Sequence, residues 1–424
     1  MKKTILLLYF LFYINLFSLN SYTFLIEKNG YVFAYPQIIE CKNGNLFLSY
    51  LKRQNNYNNL YLVIFSSEKG IKKGKFLPTQ IKNKIYYTFG FIPYVILKIS
   101  EGKFFEVEAL AHRGIYFHKF SFTEDKFTEI LIDKAKKYRS CHCPSITFGN
   151  GKLFLVYLKE DACWFTKYEN GKWENPQIIP GTESKSFPEL GFKNEINIEM
   201  KWAQPYLAYL KNKLFLFIGG KLFYSRNMGE KWKIIKNKFG RKSISNKYNR
   251  LISDNERIYF FYVEKKVKEK EMPVFVEGFE KGYCEIRSTS SKNGLFWSFS
   301  KIVNDTKLPY KIKIGGIHTP TKEVLFQETM EPEILDVKFS SDKKILGILW
   351  RDWRDNNPKI YFSYSENKGK TWSKNICVVS DKNAKEGSFF IDGKKLFIFW
   401  SKVVKITEKK YITNLYLTKI NFRN

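Results

Sequence analysis

Residues 332–379 read PEILDVKFSSDKKILGILWRDWRDNNPKIYFSYSENKGKTWSKNICVV. Strand-like runs rich in Ile, Leu, Val, Phe and Tyr alternate with polar turns, and those residue types suit a pleated, half-buried surface. The stretch parses as four short antiparallel strands. The turn before the last of them, SENKGKTW, places a Ser, an Asn, a Gly and a Trp at fixed spacing.

The same grammar recurs along the chain. Copies begin at Pro93, Pro144 and Pro205, and one after the N-terminal segment opens YPQIIECKNGNLFLSYLKRQNNYNNLYLVIFSSEKG. Its Asn-Gly between apolar runs is a hairpin signal. A stretched copy starts near Asn249, and a last one, from Ser388, ends one strand short. Four-stranded units of roughly 40–60 residues indicate an all-β propeller. The count favours seven blades, with six as the alternative. The segment SYTFLIEK, residues 21–28, can supply the missing strand and close the ring, which removes an exposed edge. Residues 21–424 are thus expected to form one domain, with insertions at about 263–282 and 304–329. The first insertion reads either as a rim or lid or as a solvated excursion.

Residues 1–20 hold two lysines and then an apolar run, the pattern of a secretory signal peptide, with an uncleaved anchor as the alternative. Either one places the protein outside the cytoplasm, and no later segment is apolar enough to cross a membrane. The net charge is +31, yet only 11 of the 72 basic residues are Arg. Lys spread along the whole chain reads as a solvated surface, and no nucleic-acid-binding module appears. Cysteines stand at 41, 141, 143, 163, 284 and 377, without the spacing of a zinc or redox motif. No phosphate-binding loop, GxSxG or HExxH pattern occurs, so neither cofactor nor metal is expected.

The Ser365, Asn367, Gly369, Trp372 turn has partners at Ser225, Asn227, Gly229, Trp232 and at Ser290, Gly294, Trp297. Asn can cap backbone amides, Gly can take positive φ, and Trp can pack an apolar ring. The pattern resembles the Asp-box, or BNR repeat, of the sialidase-like propellers, with Asn at the usual Asp position. The resemblance covers nearly the whole chain after residue 20. It implies that the box buttresses a blade on the face opposite the active site. It also implies an Arg in an F/Y-R-I-P motif at the first strand, two further Arg, an Asp acid and a Tyr nucleophile paired with Glu. Here the motif reads Phe33-Ala34-Tyr35-Pro36, with Ala34 in the Arg position. The corresponding starts of other blades give Phe91, His142, Ala203 and Met330. An Arg fork is the natural partner of a carboxylate, and Ala cannot replace it.

Candidate site residues remain on the opposite face. The loop Trp350–Asn357 concentrates Arg351, Asp352, Trp353, Arg354 and Asp355 and reads as a ligand surface or as a local ion-pair brace. Asp352, Glu333 and His142 are the catalytic candidates. His142 reads equally as a packed residue. Arg53 and Arg113 occupy similar loops in the first two blades. Three functions follow as expectations. The first is an exported propeller that binds a glycan or another surface polymer without sialidase activity. The second is a glycoside hydrolase of altered specificity. The third is an envelope scaffold for protein interactions.

Overall fold

The protein is described by a computed structural model covering residues 21–422. The stretches 31–33, 43–44, 55–56, 67–69, 77–93, 101–102, 111–112, 122–125, 136–141, 161, 184–203, 236–248, 272–277, 315–328 and 408–409 lie outside the described residues. So do the N-terminal segment 1–20 and the side chains of Cys41, Arg53 and His142.

All described secondary structure is β, in seven sheets. The innermost strands are Gln37–Lys42, Tyr94–Ser100, His142–Gly149, Tyr206–Leu210, Arg250–Ser253, Glu333–Phe339 and Ala384–Asp392. Each touches the next, and the last touches the first, so the sheets close into a seven-bladed ring. The closing strand is Ser21–Gly30, paired antiparallel with Lys410–Asn421 from Ser21↔Ile420 to Gly30↔Thr413. The N-terminal strand thus supplies the outermost strand of blade seven, whose other three come from the C-terminal part of the chain.

The second strands are continuously apolar because both of their faces are buried. In Lys152–Lys159, Phe154, Val156 and Leu158 face the core shared with blade four, while Leu153, Leu155 and Tyr157 face the core shared with blade two. A strand sandwiched between neighbours reads as a solid apolar run rather than an alternation. Seven core clusters result, one between each pair of adjacent blades.

The Ser-x-Asn-x-Gly turns supply a second tie. Ser365 Oγ donates to Asn367 Oδ1 at 2.9 Å, the Gly369 amide donates to Ser365 Oγ at 2.8 Å, and the Thr371 amide to Asn367 Oδ1 at 2.9 Å. Ser225, Asn227 and Gly229 repeat these bonds in blade four. In blade five the serine is Ser291 rather than Ser290: the Gly294 amide donates to Ser291 Oγ at 2.8 Å, and Asn293 takes the cap. The turn is one residue shorter there, which shifts the register by one. Each turn's Trp leans onto the preceding blade. Trp372 donates to Ser288 Oγ at 2.9 Å and meets Phe261 edge-on, Trp232 meets Phe165, and Trp297 joins the core shared with blade four.

The segment around 263–282 is a paired hairpin that continues the strands of blade five. Ile258–Glu271 and Gly278–Ser291 pair along their whole length, from Ile258↔Ser291 to Glu271↔Phe279. Leu308–Ile314, from the second insertion, adds a strand to this arm. Blade seven carries a similar long hairpin, Lys395–Thr407 with Lys410–Asn421. Cys143, Cys163 and Cys284 are buried, and Cys377 is exposed.

Candidate functional site

Strand register separates the two faces of the ring. In blade six Leu346 pairs with Ser365 at the end that carries the Ser-Asn-Gly turn, and Asp352 pairs with Lys359 at the other end. Glu333 pairs with Arg351 at that second end. The starts of inner strands and the ends of second strands therefore share the face away from the Trp turns. The long hairpins of blades five and seven extend past their neighbours on this face and flank blade six.

Within the 350–357 loop the structure divides the candidates. Asp352 is fully buried. Its oxygens accept from Trp350 Nε1 at 2.7 Å, Arg354 Nη2 at 2.8 Å and the Arg354 amide at 3.1 Å. Arg354 then reaches Asp305 at 3.1 Å and Asn375 at 3.1 Å, with its guanidinium 3.8 Å from the Tyr361 ring centroid. This is a brace that binds blade six to blade five. Its charges are already matched, and Asp352 shows no surface to a ligand. Asp355 is exposed and bonded to Lys359 at 2.6 Å, which holds its carboxyl below the usual range.

Arg351 points to the other side of the strand. Its guanidinium sits 2.6 Å from Glu333, donates to the Ala384 carbonyl at 3.1 Å, and lies 5.0 Å from the Trp353 ring centroid. Glu333, Arg351 and Trp353 thus come together, while Asp352 is turned away from them. Arg113 is exposed at the head of blade two's third strand, elsewhere on the ring.

Glu386 completes this group and escaped the sequence reading. It sits at the bulged start of blade seven's inner strand, where pairing slips between Ala384 and Gly387. Its Oε2 accepts from the amides of Ala34 and Tyr35, each at 3.0 Å, and from Ser401 Oγ at 3.1 Å. Tyr35 has φ of 47°, and this left-handed residue helps turn the two successive amides onto one oxygen. Burial pushes the Glu386 carboxyl up to about 7, against the pull of those donors and of Arg351. Lys385 is drawn below the usual lysine range by burial and then by Arg351. Ala34 is fully buried, and its carbonyl accepts from the Leu51 amide at 2.8 Å.

The Glu386 shift has a consequence for stability. A carboxyl whose folded value lies above its unfolded value stabilises the fold fully below the unfolded value, and that contribution is lost as pH rises through the folded one. Between pH 4.5 and about 7 the wild type should therefore lose stability relative to Glu386→Gln, and the difference should be flat above pH 8. Urea unfolding of both proteins at pH 5 and pH 8 measures it.

No family model matches the chain, and no curated protein matches it. Solved structures do match. An oligogalacturonate lyase in complex with manganese is similar at a TM-score of 0.50 and 11% identity, over 95% of this chain and 94% of that one. A Trypanosoma rangeli sialidase in complex with 2,3-difluorosialic acid is similar at 0.41 and 11%, over 87% of this chain and 57% of that one. A phage phi92 endosialidase is similar at 0.44 and 8%, over 96% and 70%. The chain thus spans less than two thirds of the length of that sialidase. At these identities the likeness is one of fold, a seven-bladed β-propeller.

Proposed function

We propose that the protein is an exported Asp-box propeller that binds a glycan or another surface polymer on the Arg351 face and does not release sialic acid. The observation that carries this reading is at Ala34. In the resembled family this position holds the Arg that grips the substrate carboxylate. Here it is a buried methyl whose amide is bonded to Glu386. A substrate carboxylate would meet an internal carboxylate in place of a cation. Arg351, Glu333 and Trp353 offer a planar donor, an acceptor and an aromatic face side by side, a combination that suits sugar hydroxyls and ring faces. The flanking hairpins of blades five and seven give this surface walls long enough for a polymer.

A glycan array followed by titration of the best ligand tests the reading. Arg351→Met should weaken binding at least about tenfold, the effect of one lost charge-assisted hydrogen bond of about 1.5–3 kcal/mol. Sialyl-lactose should yield no free sialic acid. Release of sialic acid that Arg351→Met abolishes would overturn the proposal.

A second reading, a glycoside hydrolase, is favoured by the Glu386 carboxyl held near 7, where an acid or base works best at neutral pH. Under it, reducing-sugar release from the bound glycan should vanish in Glu386→Gln while affinity persists.

A further inference from the structure

The second strand of blade two, Lys103–Leu110, breaks the rule its counterparts follow. The others run LFLSYL, LFLVYL, LFLFI, IYFFYV, LGILW and LFIFW, whereas this one reads FFEVEAL. Phe105, Val107 and Ala109 face the core shared with blade three, and Phe104 and Leu110 face the core shared with blade one. Glu106 and Glu108 share the parity of Phe104 and Leu110, so two carboxylates stand on a face that is apolar in other blades. Both are buried, at 2% and 0% exposure. His118 pairs with Glu106 on the third strand, and Glu129 pairs with His118 on the fourth. The imidazole has no exposed surface and stacks on Phe127, with ring centroids 5.2 Å apart.

We propose that Glu106, Glu108 and His118 form a divalent-cation site within blade two, with Glu129 as an adjoining carboxylate. One ligand atom from each of the three lies within 4.8 Å of the others. Two ligands about 2.1 Å from one ion are up to roughly 4.2 Å apart, so small side-chain shifts suffice. Glu106 contacts Nδ1, while Nε2 faces Glu129 at 3.0 Å and Glu108 at 3.6 Å. An ion on Nδ1 beside Glu106 would leave the Nε2 hydrogen for Glu129 at 3.0 Å. That is the carboxylate–histidine–metal arrangement, with Glu129 as the carboxylate that orients the ring. The mixed imidazole and carboxylate set suits Mn²⁺ or Zn²⁺ better than Mg²⁺. The position on the second, third and fourth strands of blade two sets it apart from the Arg351 face and makes its role structural, a clasp across those strands.

The test is metal content. The full-length protein is stripped with chelator, equilibrated with Mn²⁺ or with Zn²⁺, desalted and assayed by plasma mass spectrometry. The expected result is about one ion per chain with one of the two metals, and a rise in thermal midpoint that chelator reverses. Glu108→Gln keeps the side-chain shape and should reduce retained metal at least tenfold. Glu129→Gln serves the same purpose if the first variant does not fold. Glu386→Gln should retain metal like the wild type. The proposal is overturned if the wild type retains neither ion, or if a folded Glu108→Gln or Glu129→Gln binds as much as the wild type.

Discussion

Asp352→Ala should destabilise the protein by about 3–5 kcal/mol, the cost of leaving a buried cation without its partner. The variant strands the Trp350 indole N–H and most of the Arg354 fork, since Asp352 accepts from both. Arg354 keeps Asp305 and Asn375, so the loop loses its anchor on one side only. Asp352→Asn should fall between the two, because it retains an acceptor for Trp350 but loses the charge. Denaturation in urea, followed by circular dichroism, reads the loss directly. A fully folded Asp352→Ala within about 0.5 kcal/mol of wild type would refute the brace, since surface changes rarely exceed that range.

Gly294→Ala should cost about 3 kcal/mol, whereas Gly369→Ala should cost about 1 kcal/mol. Both glycines have positive φ, 76° and 79°. They differ in their surroundings. A methyl on Gly294 would lie 1.9 Å from the Phe215 ring of blade four, and Phe215 is fully buried. A methyl on Gly369 would find nothing nearer than 3.8 Å. The difference between the two variants therefore isolates the contact of a Trp turn with the neighbouring blade from backbone strain alone. Equal losses in the two variants would show that the turn acts only locally.

Seven blades could be favoured over six because most strands obey a short local code: apolar run, turn residue, apolar run. Closure by Ser21–Gly30 was legible too, since the last unit lacked a strand and only one segment remained to supply it. The box serine of blade five was misplaced by one residue because a Ser-Ser pair offers two registers, and the amide of Gly294 chooses Ser291. The charged stretch after Val263 looked like a loop because its strands are exposed beyond the ring and lack the apolar code.

The site was only half legible. Arg351, Trp353 and Glu333 stood out by composition, but Asp352 stood out equally. Only the register of Glu333 with Arg351 separates the pair that faces the site from the carboxylate turned into the brace. Glu386 gave no signal: it lies in NAKEGSFF, without the x-x-Pro frame that marks other blade starts. The His118 cluster was missed: its trace in the sequence is two glutamates in a strand whose counterparts are apolar, and its partners converge on them only in the fold.

The sequence by itself determined the all-β class, favoured seven blades over six, named the closing strand and put Ala at position 34, because each depends on residues close together in the chain or on one matched motif. The tertiary structure alone decided what fills that place. Glu386 meets the amides of Ala34 and Tyr35 across about 350 residues of chain. Closing the ring brings blade seven against blade one, and no local pattern encodes a hydrogen bond that exists only once that closure is complete.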